Sequence, residues 1–447
     1  MDRWGHRCAV WLQNNLSHGS SEMNQMAPDA VIDDPVERSQ MADAKACVFD
    51  VSEAELDAHP HEYIAEMRRH TEVWRRSVKA ADREIGVYTV FSHDLCSKLL
   101  THASTRQFYT QLLMWRGVPV GPLQNLFLNG MPTVDGPPHR RRRKPLAGSL
   151  TMPVIKSMQP QIRVFVRNYL KPYLAQGGMN VATDFAKTFP PRLLCSIIGI
   201  PKDEVDYFVG LARQAAVGLT LFPLEQLPDI DGAAQTLLEY VERLLEKQRT
   251  VGQSEFLGRY LESVEKIDPE LTPAEVYVQL IDLMLASAET TRMTITNAVS
   301  LLLSHPSQWQ ALLADRSLVG GAVNEVLRYE PSVGTCPRFL VEDVELGDMV
   351  IPANSIISAS LLGALRDPTL FSDPQRFNIM RTDFQRKHMV FGGGVHRCLG
   401  ESLAWIEIFE TIDAIADMIP NIRLNGDPVS CTGFSGIRRV TDCNVVY

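Results

Sequence analysis

Phe391-Gly392-Gly393-Gly394-Val395-His396-Arg397-Cys398-Leu399-Gly400 is the stretch from which the fold is read. One cysteine stands at the end of a glycine-rich loop, behind an aromatic residue and just ahead of a helical pattern that begins near Ser402. A thiolate there faces the positive end of a helix, which is expected to lower its pKa. Glycines let the backbone pass close to a large flat ligand and turn N–H groups toward the sulfur. By itself the stretch leaves three uses open. Cys398 could hold a metal-bearing flat cofactor such as haem, stand as an ordinary buried free thiol, or pair with His396 on zinc. The zinc use needs two further ligands, and no nearby Cys-x-x-Cys or His-x-x-x-His completes the set.

Working outward, the 447 residues carry 44 Lys and Arg against 53 Asp and Glu, a net charge of −9, which argues against general nucleic-acid binding. Apolar content of 45% and charged content of 22% are ordinary for a globular chain. No eighteen-residue apolar run predicts a membrane span, and the N-terminus lacks a signal-peptide layout. The eight cysteines are scattered without a compact framework, so a reducing cytoplasm is the expected home.

Residues 1–45 differ from the rest and read as a flexible tail, in which Met1 to Leu16 has a short amphipathic pattern around Trp4, Val10, Trp11 and Leu12. Met23, Met26 and Met41 offer later starts, so this tail is expected to stem in part from where the reading frame was opened. Residues 46–447 are expected to form one domain, mainly α with a small, mostly antiparallel β portion. Helical periodicity is clearest at Ile162 to Leu170, Gln235 to Gln248, Thr272 to Leu303 and Ser402 to Met418. Strand-like alternation occurs at Glu84 to Phe91 and within Arg338 to Ser360, where a Gly-Asp turn and an Asn354 turn are predicted. Thr272-Pro273-Ala274-Glu275 is a capping-box start to a helix of roughly 45–50 Å. In its middle lies Ala286-Ser287-Ala288-Glu289-Thr290-Thr291, an acid and a threonine among apolar neighbours. Such a pair is costly to bury without a purpose. Thr290 back-bonding to a helix carbonyl, with Glu289 facing water, is the plain structural use.

The run Phe-x-x-Gly-x-His-x-Cys-x-Gly resembles the haem-binding signature of the cytochrome P-450 family, the haem-thiolate monooxygenases, with every signature position filled by residues 391–400. The resemblance implies the family fold, with the long central helix over the haem, and haem b (iron protoporphyrin IX) on an axial Cys398 thiolate. Phe391 and Gly392 then belong to the cofactor loop. It implies that Thr290 stands beside dioxygen and that Glu289 relays protons. Ser287 departs from the pattern, since the family usually has Gly there. His139 and Arg143, four apart on one helix face after Asp135, together with Arg338 and His396, are implied propionate contacts. Glu325, Arg328 and Arg376 are implied members of a buried structural network. Arg140, Arg141 and Lys144 would then form a basic surface suited to an acidic electron donor.

The expected activity is insertion of one oxygen atom from O2 into a C–H bond of an apolar small molecule, of terpenoid or steroid-like skeleton. Electrons would come from a separate ferredoxin and its NAD(P)H-dependent reductase, because no flavin or nicotinamide fingerprint is present. The substrate-facing segments are expected within Arg106 to Met131, Leu219 to Leu227, Val333 to Cys336 and Thr432 to Phe434, and at Met284 and Ala286. The alternatives are a peroxide-driven haem-thiolate peroxygenase and a non-catalytic haem sensor, neither of which needs the Glu289–Thr290 pair.

Overall fold

The structure is a computed structural model that describes residues 51–447, apart from 81–82, 221, 252–253, 348 and 385–387. The amphipathic pattern at Met1 to Leu16 and the tail to residue 45 lie outside the described residues. Helices frame the site: α1 (His93–Thr101), α2 (Pro122–Asn129), α3 (Gly136–Ser149), α4 (Met152–Leu174), α5 (Leu227–Val251), α6 (Pro273–Ser304), α7 (Val319–Tyr329) and α8 (Glu401–Met418). The four periodic segments predicted from sequence fall within α4, α5, α6 and α8, with Thr272 of the third serving as the N-cap of α6.

The start of α6 is as its residues dictate. Thr272 Oγ1 accepts from Glu275 N, Glu275 Oε2 accepts from Thr272 N at 2.9 Å, and Pro273 fills the first turn. A cap of this kind stabilises a helix end by about 1 kcal/mol. Glu275 does more than cap. Its Oε1 accepts from Arg142 Nε at 2.9 Å, both side chains being buried, which ties α3 to the first turn of α6.

The main sheet is built from β1 (Val73–Ala80), β2 (Arg83–Val90), β3 (Thr105–Arg106), β4 (Thr335–Leu340) and β7 (Ile356–Ser360), in the order β1-β2-β7-β4-β3. All neighbours pair antiparallel except β2 and β7. A separate hairpin joins β5 (Val344–Leu346) to β6 (Met349–Ile351), with Val344 opposite Ile351. Gly347 has φ +66° at its turn, and Asn354 has φ +62°, the left-handed conformation predicted for it.

The buried network around α7 differs from expectation. Arg328 Nε and Nη2 donate to Glu325 Oε2 and Oε1 at 2.7 and 2.8 Å, and neither side chain is solvent-exposed. The third side chain is Arg381, whose Nε lies 3.2 Å from Glu325 Oε2, and not Arg376. Arg376 contributes only its backbone carbonyl, to Arg328 and Arg381, and its side chain is exposed. The physical reason is the chain path: after Asp373, itself at φ +48°, the backbone turns so that Phe377 and Ile379 enter the core and Arg381 follows them inward.

Candidate active site

The glycine loop ends with the Cys398 N–H donating to the Phe391 carbonyl at 2.8 Å. Gly392 and Gly394 sit at φ +71° and +64°, a region that β-carbons disfavour. Two of the glycines are explained by α1, not by a ligand. A Cβ on Gly394 would lie 2.2 Å from the Leu100 carbonyl oxygen, and one on Gly393 would lie 3.2 Å from the Leu100 side chain. Gly392 faces open space, so it is the one free to let a ligand approach.

Cys398 is solvent-accessible, yet surrounding protein desolvates it enough to raise its thiol pKa. The two facts together describe a side chain at the floor of a recess. The expectation of a lowered pKa is therefore corrected for the protein alone. The Gly400 N–H, Arg143 and Arg397 do pull downward, but burial outweighs them and Glu401 adds to the rise. A positive metal centre above the sulfur would reverse that balance.

Around this floor the residues implied as propionate contacts gather. His139 on α3 is 2% exposed, its ring lies 4.2 Å from that of His396, and its Nε2 is buried without a hydrogen-bond partner. Burial, then the charges of His396 and Arg143, brings its pKa down to about 4. His396 Nε2 is 2.8 Å from Asp135 Oδ1, while Asp135 Oδ2 accepts from Gln107 N. Arg338 on β4 is 7% exposed, and its one hydrogen-bond partner among the described residues is the Pro337 carbonyl. A buried guanidinium without a carboxylate is a strong sign that an anion belongs there. Arg143 Nη2 donates to the Arg397 carbonyl at 2.6 Å, which anchors α3 to the cysteine loop and leaves its other donors for a ligand. No cluster of three or more His, Cys, Asp or Glu side chains fit for a metal ion occurs among the described residues, so His396 and Cys398 lack partners for a zinc site.

The basic run divides by function. Arg141 is paired with Asp268 at 2.7 Å though its side chain remains partly exposed, and Arg142 is the buried partner of Glu275, so only Arg140 and Lys144 of the run are exposed without an ion pair among the described residues. The predicted role of Arg141 in a free basic surface is thereby corrected.

On α6 the burial pattern opens at one place. Residues 278–281 and 293–300 are buried, whereas 282–290 are accessible except for Met284, and Ala286 is exposed. Thr290 Oγ1 donates to the Ala286 carbonyl at 2.8 Å, and Glu289 is ion-paired with Arg292 at 2.8 Å. The threonine thus makes the local back-bond, while the acid is tied to its own helix instead of being free in water. Ser287 Oγ reaches the Met284 carbonyl only at 3.4 Å, and α6 runs unbroken from Pro273 to Ser304. Several expected substrate-facing residues are core instead. Phe127 and Phe222 pack with Leu113, Val118, Leu123 and Ile230, and Phe434 packs edge-on to Trp74. An alternating or clustered apolar pattern cannot separate pocket wall from core, because both are apolar.

An accessible thiol, a buried imidazole nitrogen without a partner, a buried guanidinium without a carboxylate and an accessible span of helix are what a haem requires. The residues present fit that group. Cys398 would ligate the iron, and His139, Arg338, Arg143 and His396 would face its carboxylates.

Comparison with known proteins agrees. The family description "Cytochrome P450" matches residues 217–415. The chain is similar to the plant-inducible cytochrome P450-pinF1 of Rhizobium radiobacter, 31% identical over 95% of this chain and 94% of that one. It is similar to 6-deoxyerythronolide B hydroxylase of Saccharopolyspora erythraea, 30% identical over 68% of this chain and 74% of that one. Its backbone resembles that of P450BioI, solved in complex with an acyl carrier protein bearing hexadec-9Z-enoic acid, with TM-score 0.78 and 25% identity over 89% of this chain and 100% of that one.

Proposed function

Because the chain belongs to the cytochrome P-450 family and is a monooxygenase of that family, we propose that it inserts one atom of dioxygen into a C–H bond of an apolar small molecule, with haem b held through Cys398. Electrons come from a ferredoxin and its NAD(P)H-dependent reductase. The observation that carries this reading is the accessible Cys398 together with two buried groups, His139 Nε2, which has no hydrogen-bond partner, and the Arg338 guanidinium, which meets only the Pro337 carbonyl and no carboxylate among the described residues.

When bound, haem held by thiolate supplies electron-rich iron that favours O–O cleavage. The chain's own residues do the rest. Arg338 would meet the cofactor's carboxylates with its charge, and His139 would donate an uncharged N–H to them. Thr290, with its proton given to the Ala286 carbonyl, presents hydroxyl lone pairs to the recess and so holds a protonated guest oxygen or a water. Glu289, part exposed and paired with Arg292, passes protons inward from solvent. The apolar helix face about Leu283 and Ala286 keeps bulk water away from the reacting atoms.

The substrate body is apolar, of terpenoid, steroid-like or fatty-acyl skeleton; the acyl-bearing partner of P450BioI supports the last of these. The exposed Arg140 and Lys144 on α3, beside the Arg143 that anchors the cysteine loop, support an acidic electron donor at that face. Cytoplasmic placement accords with six described cysteines that are all free. No helix among the described residues is long and apolar enough to cross a membrane.

Thr290→Ala tests the proton assignment. Product formed per NAD(P)H consumed should fall several-fold, hydrogen peroxide should rise to match, and the haem spectrum should stay intact. Unchanged coupling would remove the role given to Thr290.

A further inference from the structure

One stripe of α6 carries Glu275, Gln279, Asp282, Ala286 and Thr290, which share a face by their spacing. The first two are fully engaged. Glu275 binds Arg142 and Thr272, while Gln279 donates to the carbonyls of Asn129 and Glu275 and accepts from Met131 N. Asp282 is different. Its Oδ2 accepts from the Met131 N–H at 3.1 Å, and no cationic side chain among the described residues lies within ion-pair distance of it. The basic group whose charge acts on it, Arg142, is already bonded to Glu275 and to the Leu128 carbonyl.

Asp282 is nevertheless not fully buried, and it opens the accessible span of the helix. Ala286 is one turn on, and Thr290 lies roughly 12 Å along the helix axis. The end of α2 closes over the carboxyl: a Cβ on Gly130 would lie 3.1 Å from Asp282 Oδ2. Burial drives the carboxyl pKa up to about 8 against the pull of the Met131 N–H and Arg142. Tying Met131 to α6 does not explain an acid here, because the neutral Gln279 accepts from the same N–H. At rest such a carboxyl holds its proton, and a cation from outside the chain would return it to the carboxylate and pair with it.

We propose that Asp282 is a specificity-determining residue whose carboxylate receives a cationic ammonium group of the substrate, with the apolar body running along α6 past Ala286 to Thr290. This deepens the monooxygenase reading and rests on it. The oxidised carbon then lies roughly 10–12 Å from the ammonium nitrogen, two helix turns away.

The test uses the ferric holoenzyme and two probes of one chain length, dodecyltrimethylammonium and 1-dodecanol, titrated by the spin-state change of the haem. A quaternary ammonium cannot ligate iron, so its spectrum reports pocket binding alone. Wild type should bind the cation roughly tenfold or more tightly than the alcohol. Asp282→Asn, which keeps an acceptor for Met131 N–H, should bring the two affinities together. Equal affinities in wild type, a preference that survives in Asp282→Asn, or no spin change with either probe would each overturn the assignment. The reduced carbon-monoxide spectrum of the same wild-type sample separates the two levels. Its characteristic thiolate band, when present, confines such a failure to Asp282, and its absence sinks the monooxygenase reading together with the substrate assignment.

Discussion

Cys398→His will yield a protein whose reduced carbon-monoxide complex lacks the thiolate band that names the family, and whose oxygenation of any substrate falls to background. The expectation follows from position and chemistry together. Cys398 is the one exposed thiol among the six described cysteines; Cys96, Cys195 and Cys443 are buried, and Cys336 and Cys431 are partly so. Burial pushes the thiols of Cys195, Cys431 and Cys443 up to about 12, which leaves them no thiolate at neutral pH. Imidazole donates less charge to iron than thiolate does, so O–O cleavage loses its electronic drive even if haem stays bound. Cys443→Ser, made in parallel, should keep the band. Persistence of the band in Cys398→His would exclude Cys398 as the ligand.

Glu325→Ala will destabilise the fold by about 3–5 kcal/mol, because two buried guanidiniums, Arg328 and Arg381, lose their shared carboxylate at once. Urea unfolding of the holoprotein measures it as a lowered midpoint with an unchanged slope. The companion variants discriminate between the two candidate arginines. Arg381→Ala should be strongly destabilising, since its guanidinium also binds Asp383 and the carbonyls of Ser372, Asp373 and Arg376. Arg376→Ala should change stability by no more than about 0.5 kcal/mol, because its side chain is exposed and its carbonyl survives the substitution. A large loss in Arg376→Ala with little in Arg381→Ala would restore the assignment made from sequence.

That reversal shows where sequence reading stopped. Glu325 and Arg328 are three apart on one helix, so their pairing is local and visible. The arginine that completes the network arrives some fifty residues later. Which of two nearby candidates turns inward depends on a backbone bend at Asp373 and on the burial of Phe377 and Ile379. The Arg142–Glu275 pair was missed for the same reason. Glu275 already had a local role as a cap, and nothing in the spacing says that α3 crosses its first turn.

Sequence alone determined the cysteine loop, the start and length of α6 and the Asn354 turn. Each rests on interactions spanning a few residues or on a motif with fixed internal spacing. Tertiary structure decided the rest. It set Arg381 over Arg376, pressed Gly393 and Gly394 against Leu100, and turned Phe127 and Phe222 into core. It also left Asp282 desolvated without a counter-charge. Desolvation and close approach are properties of everything that surrounds a group, and those surroundings come from segments far apart in the chain.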